Sequence, residues 1–564
     1  MAMSARAAID TILAALAVGA CLLPAARAEQ PAADGPISTS RLSEITRTLA
    51  SDDYQGRAPG TPGETKTIEY LVAQYKALGL EPAGPDGSYL QTVPMVRTQV
   101  PSDARMEITV AGEHRALVQQ KDVAALALRP VDRVAIEAAP LVFVGYGVSA
   151  PERQWDDYKG VDLRGKVAIY LINDPDFEAQ PGDDAYGRFG GKAATYYARW
   201  TYKYEEAIRR GAIAAFIVHE TEPAAYGWNT AIAPNGEGYD IARADPAHDR
   251  LLLHAWMQRD TAVEILRKAG LDLDQLKKQA RSRSFKPVIL HGATFSADFP
   301  LAHQRIDSHN VLGKITGRTH PLESILVGAH WDAYGLGEPD KRGDRIRHGA
   351  ADDAIGVAGV LEVARALQQL PRPERTVVFA AWTAEERGLL GSEYYAAQPV
   401  MPMATTVADF TMDVLQTAGP ARDVVLVGAG QSDLDDLLRR TAARQSRTIT
   451  PDARPERGLA FRADHFPLQK QGVPALLLMG MSGGHDLVNG GREAGDRWVS
   501  EYTANCYHQA CDTWSESWDL RGAAQDVDLV YEMTRELAHS TAWPQWRAGN
   551  EFKRVRDASA SQRR

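Results

Sequence analysis

Cysteine is scarce in this chain, three among 564 residues, which is too few for a metal site built on thiolates. An excess of positive charge is also missing. Lys and Arg number 63 against 73 Asp and Glu, a formal net charge of −10, and that balance argues against a nucleic-acid partner, which wants a basic face. After the N-terminal region no apolar run is long enough to cross a bilayer, and there are no internal repeats or low-complexity tracts. What is present is ordinary globular composition, 44% hydrophobic and 24% charged. At roughly 150 residues per domain the length leaves room for two to four domains.

The first residues read as an export signal. Arg6 is followed by an apolar run from Ile12 to Leu23 and by the small-x-small site Ala26-Arg27-Ala28. Residues 1–28 are therefore expected to leave, giving a periplasmic or secreted protein. A minor alternative is lipid attachment at Cys21, since Val18-Gly19-Ala20-Cys21 loosely resembles a lipobox. Once Cys21 is gone, Cys506 and Cys511 remain as a pair for an oxidising compartment, and a disulfide is the expectation.

A helical pattern over Thr65–Leu78 follows the turn-rich stretch Gly56–Gly63. From 138 to 300 short β-rich runs, such as Leu141–Val144 and Lys166–Leu171, alternate with Gly- and Asp-rich turns, and few residues there are arranged like a catalytic site. This reads as an inserted domain between an N-terminal catalytic portion (29–137) and the main one (301–545), with a tail from 546 to 564. The main portion alternates candidate strands (Ser324–Ala329, Thr376–Ala381, Thr406–Met412, Val424–Val427, Pro474–Met479) with candidate helices (Val357–Leu370, Leu389–Ala397, Asp433–Gln445, Asp526–His539). Such alternation predicts a three-layer α/β/α domain with its site at the carboxyl ends of strands.

The chemistry-bearing clusters sit just past apolar strands. In Gly328-Ala329-His330-Trp331-Asp332, His330 can ligate a metal while Asp332 orients its imidazole; alone, a His-x-Asp is more often structural. Asp352, in Gly349-Ala350-Ala351-Asp352-Asp353 before a helix, is a candidate carboxylate bridge between two cations, against the plainer reading of an N-cap. In Trp382–Gly388, one of Glu385 and Glu386 can bind metal while the other acts as general base; a charged first helical turn is the plain alternative. Asp413 ends a strand, and Tyr507-His508 lies between the two late cysteines, offering an oxyanion donor and a last ligand.

These residues together resemble the co-catalytic zinc exopeptidases, a family of aminopeptidases and carboxypeptidases with an inserted protease-associated domain. The pattern Trp-x-x-Glu-Glu-x-Gly-Leu-x-Gly-Ser is matched by Trp382, Glu385, Glu386, Gly388, Leu389, Gly391 and Ser392, and Asp464-His465 matches a substrate-side loop. The resemblance covers about Arg41 to Trp543. It implies two Zn2+ per chain, one held by His330 and Asp413, the other by Glu386 and His508, with Asp352 bridging, Glu385 as general base and acid, and Tyr507 at the oxyanion. Two departures stand out: Asp353 where the family often has Asn, and Thr411-Met412-Asp413-Val414 where it has Asn-x-Asp-Met. The ligand is placed at Asp413 rather than Asp409, and His485 is read as a flexible rim residue. The implied activity is aminopeptidase action on peptides. The rivals are a carboxypeptidase or dipeptidase, with Arg462, Arg345 or Arg347 meeting a substrate carboxylate, and a non-catalytic binding protein. Residue preference and oligomeric state have no signal in the sequence.

Overall fold

A computed structural model describes residues 35–563; the export-signal and Cys21 readings lie outside them. The parallel strands of the main sheet are the reason the site sits where it does. His320–His330 pairs in parallel with both Arg375–Trp382 and Thr406–Asp413, and the latter pairs in parallel with Ala475–Met479. Arg375–Trp382 and Thr406–Asp413 are buried along their whole length, as expected of strands covered on both faces. Their alternation divides two cores. Ile325, Val327, Val377 and Phe379 face the helices Ile355–Gln368 and Arg521–Ala538, whereas Leu326, Val378, Ala380 and Trp382 pack with Tyr395 of the helix Leu390–Ala397 and Leu468 of His465–Lys470. The α/β/α layering follows from that period of two.

Antiparallel strands extend this sheet on the other side of Arg375–Trp382: Ala302–Ile315, then Leu90–Gln99, then the short edge strand Glu237–Ile241. The expected strand near Val424–Val427 forms as Asp423–Leu426 but lies outside the main sheet, pairing in parallel with Thr448–Pro451.

A second eight-stranded sheet is built from Arg105 to Pro300. It begins upstream of residue 138 because Met106 pairs with Ala297 and Ala124 with Trp256, long-range partnerships that local texture does not announce. It is also less purely β than the sequence reads. Arg133–Phe143, Val167–Leu171, Ala214–His219 and Leu253–Gln258 run parallel to one another and are joined by helices Trp200–Arg209 and, beyond them, Arg259–Lys268. The edge strand Glu237–Ile241 comes from this same stretch, so the segment braces the main sheet. From Pro36 onward the chain packs as one unit. Among the described residues no helix is long and apolar enough to cross a membrane.

Candidate metal centre

The carboxyl ends of the parallel strands bring the sequence candidates together. His330 is the last residue of its strand and pairs in register with Trp382, three residues before Glu385. Asp413 ends the neighbouring strand. His330 Nε2 lies 3.1 Å from Asp352 Oδ1 and 3.8 Å from Asp413 Oδ1. His508 Nε2 lies 3.3 Å from Asp352 Oδ2 and 3.3 Å from Glu386 Oε2. The two oxygens of Asp352 thus face two different histidines, the arrangement that lets one carboxylate join two cations.

Two groups of residues each bring their donor atoms within 4.8 Å of one another, Asp352 with Glu386 and His508 in the first, and His330 with Asp413 and Asp353 in the second. In the second group Asp352 is the better ligand. The Asp353 carboxylate is spent on the backbone: it accepts from the amides of Gly356 (3.0 Å), His330 (3.3 Å) and Val414 (3.3 Å). Both of its oxygens are used in this way, as an Asp allows. Asp409 is no competitor for Asp413, since it sits four residues back on the strand, about 13 Å away, and accepts from the Thr411 hydroxyl.

The residues fit a divalent metal pair. Asp413 Oδ1 is buried and has no hydrogen-bond partner, a vacancy unusual for a buried acceptor. Burial pushes Glu385 and Glu386 far above the usual carboxylate range, and neighbouring acids (Asp413 and Glu386 for the first, Asp352 for the second) push the same way against His330. Burial also works on Asp352, but His330 and His508 hold it below that range. Crowded acids around two histidines are what a bound cation relieves.

Asp332 acts differently from expectation. The His330 Nδ1 lies 3.0 Å from the main-chain carbonyl of Asp332, while the carboxylate is 3.7 Å away. The carboxylate instead accepts from the backbone amides of Glu385 (3.0 Å) and Glu386 (3.4 Å), so it aims the Glu pair. Glu385 Oε2 is 4.0 Å from His330 Nε2. The Tyr507 ring lies 3.6 Å from that of His508, and its phenol is within electrostatic range of Arg462, Asp352 and Glu386. The Cys506–Cys511 disulfide is formed, with Cα atoms 5.0 Å apart, and closes the loop that carries His508 at φ 63°.

Most other candidates stay out of the donor set. His485 is not a flexible rim residue: it is buried, 3.9 Å from Asp423, with neither ring nitrogen hydrogen-bonded. Asp464 accepts from the Ser392 hydroxyl at 2.6 Å and His465 meets the Ala460 carbonyl at 2.9 Å. Arg345 donates to the Gly337 carbonyl, whereas Arg347, which donates to the Glu338 carbonyl, also lines the cavity beside Asp352, Glu386 and His508.

Sequence reasoning missed two supports. Arg57 is fully buried and donates to the carbonyls of Trp331 (2.7 Å), Leu49 (2.8 Å), His348 (2.6 Å) and Gly349 (2.8 Å), stapling the His330 loop to the Asp352 loop. Gly349 permits this approach, because a Cβ there would lie 2.9 Å from Arg57 Nη2 and 2.3 Å from the Asp352 carbonyl oxygen. Asp512 accepts from the amides of Ala351 (2.9 Å) and Asp352 (3.1 Å), tying the His508 loop to the bridge. The one available hint was the position of Asp512 directly after Cys511; an arginine in a turn-rich stretch gives none.

Parts of the chain are similar to known proteins. Residues 310–531 match the model of Peptidase family M28. The chain is 34% identical over 121 residues to "Aminopeptidase NAALADL1" of Mus musculus, covering 20% of this chain and 15% of that protein. It is 30% identical over 189 residues to "Glutamate carboxypeptidase 2 homolog" of Caenorhabditis elegans, covering 31% and 22%. It thus spans less than a quarter of the length of these curated relatives. Among solved structures, the aminopeptidase from Aneurinibacillus sp. strain AM-1 aligns with a TM-score of 0.49 at 19% identity, over 90% of this chain and 96% of that one. A zinc aminopeptidase from Bacillus subtilis aligns with a TM-score of 0.43 at 18% identity, over 90% and 96%. The segment that matches the family model contains all five candidate ligands and Glu385.

Proposed function

We propose that this chain is a two-zinc exopeptidase that removes residues from the N-terminus of peptides. The observation that carries the reading is the Asp352 carboxylate facing His330 with one oxygen and His508 with the other. His330 and Asp413 would hold one ion, Glu386 and His508 the second, and Asp352 both. Zinc in such a centre polarises a scissile carbonyl and lowers the pKa of water to roughly 7.

The chain's own groups do the rest. Glu385 belongs to neither group of donor atoms, which leaves it to take the proton of the attacking water and return it to the leaving amine. Asp332 holds Glu385 in place through its amide. The Tyr507 hydroxyl is the donor for the oxyanion. The crowd of buried carboxylates favours a cationic substrate end, hence a free amine. A role outside the reducing cytoplasm belongs to the same proposal, supported by the Cys506–Cys511 bond.

A carboxypeptidase or dipeptidase reading stands second, favoured by Arg462, which has no carboxylate partner and lies within electrostatic range of Glu385. The test is hydrolysis of aminoacyl-p-nitroanilides and their N-acetylated forms by the zinc-loaded protein, with and without chelator. Cleavage of the free-amine series alone, lost on chelation and restored by zinc, is the expected result. Glu385→Gln should lower kcat about 10²–10⁴-fold with zinc content unchanged; full activity in that variant refutes the base assignment.

A further inference from the structure

One charge beside the metal centre has no part in the proposed chemistry. Arg387 follows Glu386 directly, and its side chain is only 17% exposed. Its Nε is shielded from solvent with no hydrogen-bond partner, and the carboxylate within ion-pair reach, that of Glu237, is 3.9 Å away. Aromatic faces hold it instead. The guanidinium carbon lies 4.9 Å from the centre of the Tyr239 ring and 5.0 Å from that of Tyr334, both within cation–π range. An arginine that merely covered apolar surface would keep its polar head in water; this one forgoes a hydrogen bond at Nε to lie against two rings.

The two rings belong to different parts of the fold. Tyr239 and Glu237 are two apart on the edge strand Glu237–Ile241, hence on one face of it, and that strand comes from the second-sheet segment. Glu237 is kept in place by Arg97 of the adjoining strand, whose Nε donates to it at 2.6 Å. The same edge strand packs on the turn that carries the Glu pair: Tyr239 and Ile241 share an apolar cluster with Ala384 and Leu390, which flank that turn. Within it Ala384 and Leu389 have φ of 53° and 62°, left-handed conformations that a residue other than glycine keeps only where its surroundings enforce them. Tyr334 belongs to the centre. It follows Asp332 by two residues, and its ring lies 4.6 Å from the imidazole of His508. His330 is oriented by a carbonyl at 3.0 Å, whereas His508 has the rings of Tyr334 and Tyr507 against it.

We infer that Arg387 is a positioning residue for His508: the contacts from Tyr239 to Arg387, Tyr334 and His508 carry the hold of the second-sheet segment to the ion of Glu386 and His508, and not to that of His330 and Asp413. The inference rests on the two-zinc reading and deepens it. An imidazole binds metal well when something other than the metal fixes its plane. Tyr334 does so for His508 only while its own ring is held, and the guanidinium of Arg387 holds it. The edge strand thus governs one ion of the pair without contributing a ligand to it.

The experiment withdraws zinc from the zinc-loaded full chain with a chromogenic chelator and follows release, which in the wild type should occur in two steps. His508→Ala identifies the step of the second ion by removing it. Arg387→Met and Tyr239→Leu should each weaken that step about ten-fold, the lower end of the effect of losing a group that orients a ligand, and leave the other step unchanged. Arg387→Lys should recover part of the loss, and Tyr239→Phe, which keeps the ring, should hold zinc as the wild type does. An unchanged His508 step in either Arg387→Met or Tyr239→Leu overturns the inference. An equal loss at both steps overturns it too, because it marks a general loosening rather than a hold on one ligand. Release of a single ion from the wild type overturns the two-zinc reading instead, and the inference falls with it.

Discussion

Replacing Arg57 by Met isolates the support behind the metal centre. The guanidinium is fully buried and its four acceptors are main-chain carbonyls, two of them beside ligand residues: Trp331 follows His330, and Gly349 opens the Asp352 turn. A hydrogen bond to a charged group contributes about 1.5–3 kcal/mol, so four lost bonds total roughly 6–12 kcal/mol before compensation. Removing the cation also removes its own burial cost, several kcal/mol. A net destabilisation of about 3–5 kcal/mol is the expected outcome, read as a lower urea midpoint of the zinc-loaded protein. Misplaced loops should also weaken zinc binding about 10–100-fold, the usual effect of losing a group that orients ligands, measured by competition with a chromogenic chelator. Arg57→Lys keeps the charge and up to three donors, so it should fall between the two. An Arg57→Met protein with unchanged midpoint and unchanged zinc affinity would refute the claim that this residue holds the two loops.

Two further outcomes follow from the geometry. Cys506 and Cys511 enclose only the His508 loop, so Cys506→Ser with Cys511→Ser should cost about 2 kcal/mol on the loop-entropy scale yet weaken zinc binding, checked by denaturation and metal titration; unchanged zinc affinity would show that His508 is held without the bond. His254 is buried, and burial pushes it down to about 4. Because its folded value lies below the unfolded one near 6.5, its neutral form contributes stability that is present above pH 6.5 and lost as pH falls toward 4, about 3 kcal/mol in all. His254→Phe should flatten that acid limb in thermal denaturation scans between pH 7 and 4.5, and an unchanged slope would disprove the assignment.

The site was legible because its ligands lie at the ends of strands whose apolar runs are unmistakable. His330 and Asp413 each close one, Glu385 and Glu386 follow a third within four residues of Trp382, and these positions converge once the strands align in parallel. The same reading stops at groups that act through backbone atoms. Arg57 and Asp512 meet carbonyls and amides, and a main-chain partner leaves no residue type in the sequence to notice. Asp332 shows the intermediate case: its importance was visible, but its carboxylate serves the Glu385 and Glu386 amides more closely than the imidazole it was expected to orient.

The sequence by itself determined the parallel core, the two-histidine and multi-acid donor set and the cysteine pair, because strand periodicity and ligand chemistry are local properties written in consecutive residues. Only the tertiary structure decided that Asp353 turns to backbone amides, that residues from Arg105 belong to the second sheet, and that Arg57 joins the His330 and Asp352 loops. Each of these depends on which side chain faces which across hundreds of residues, and that is set by sheet pairing and packing, where no local pattern reaches.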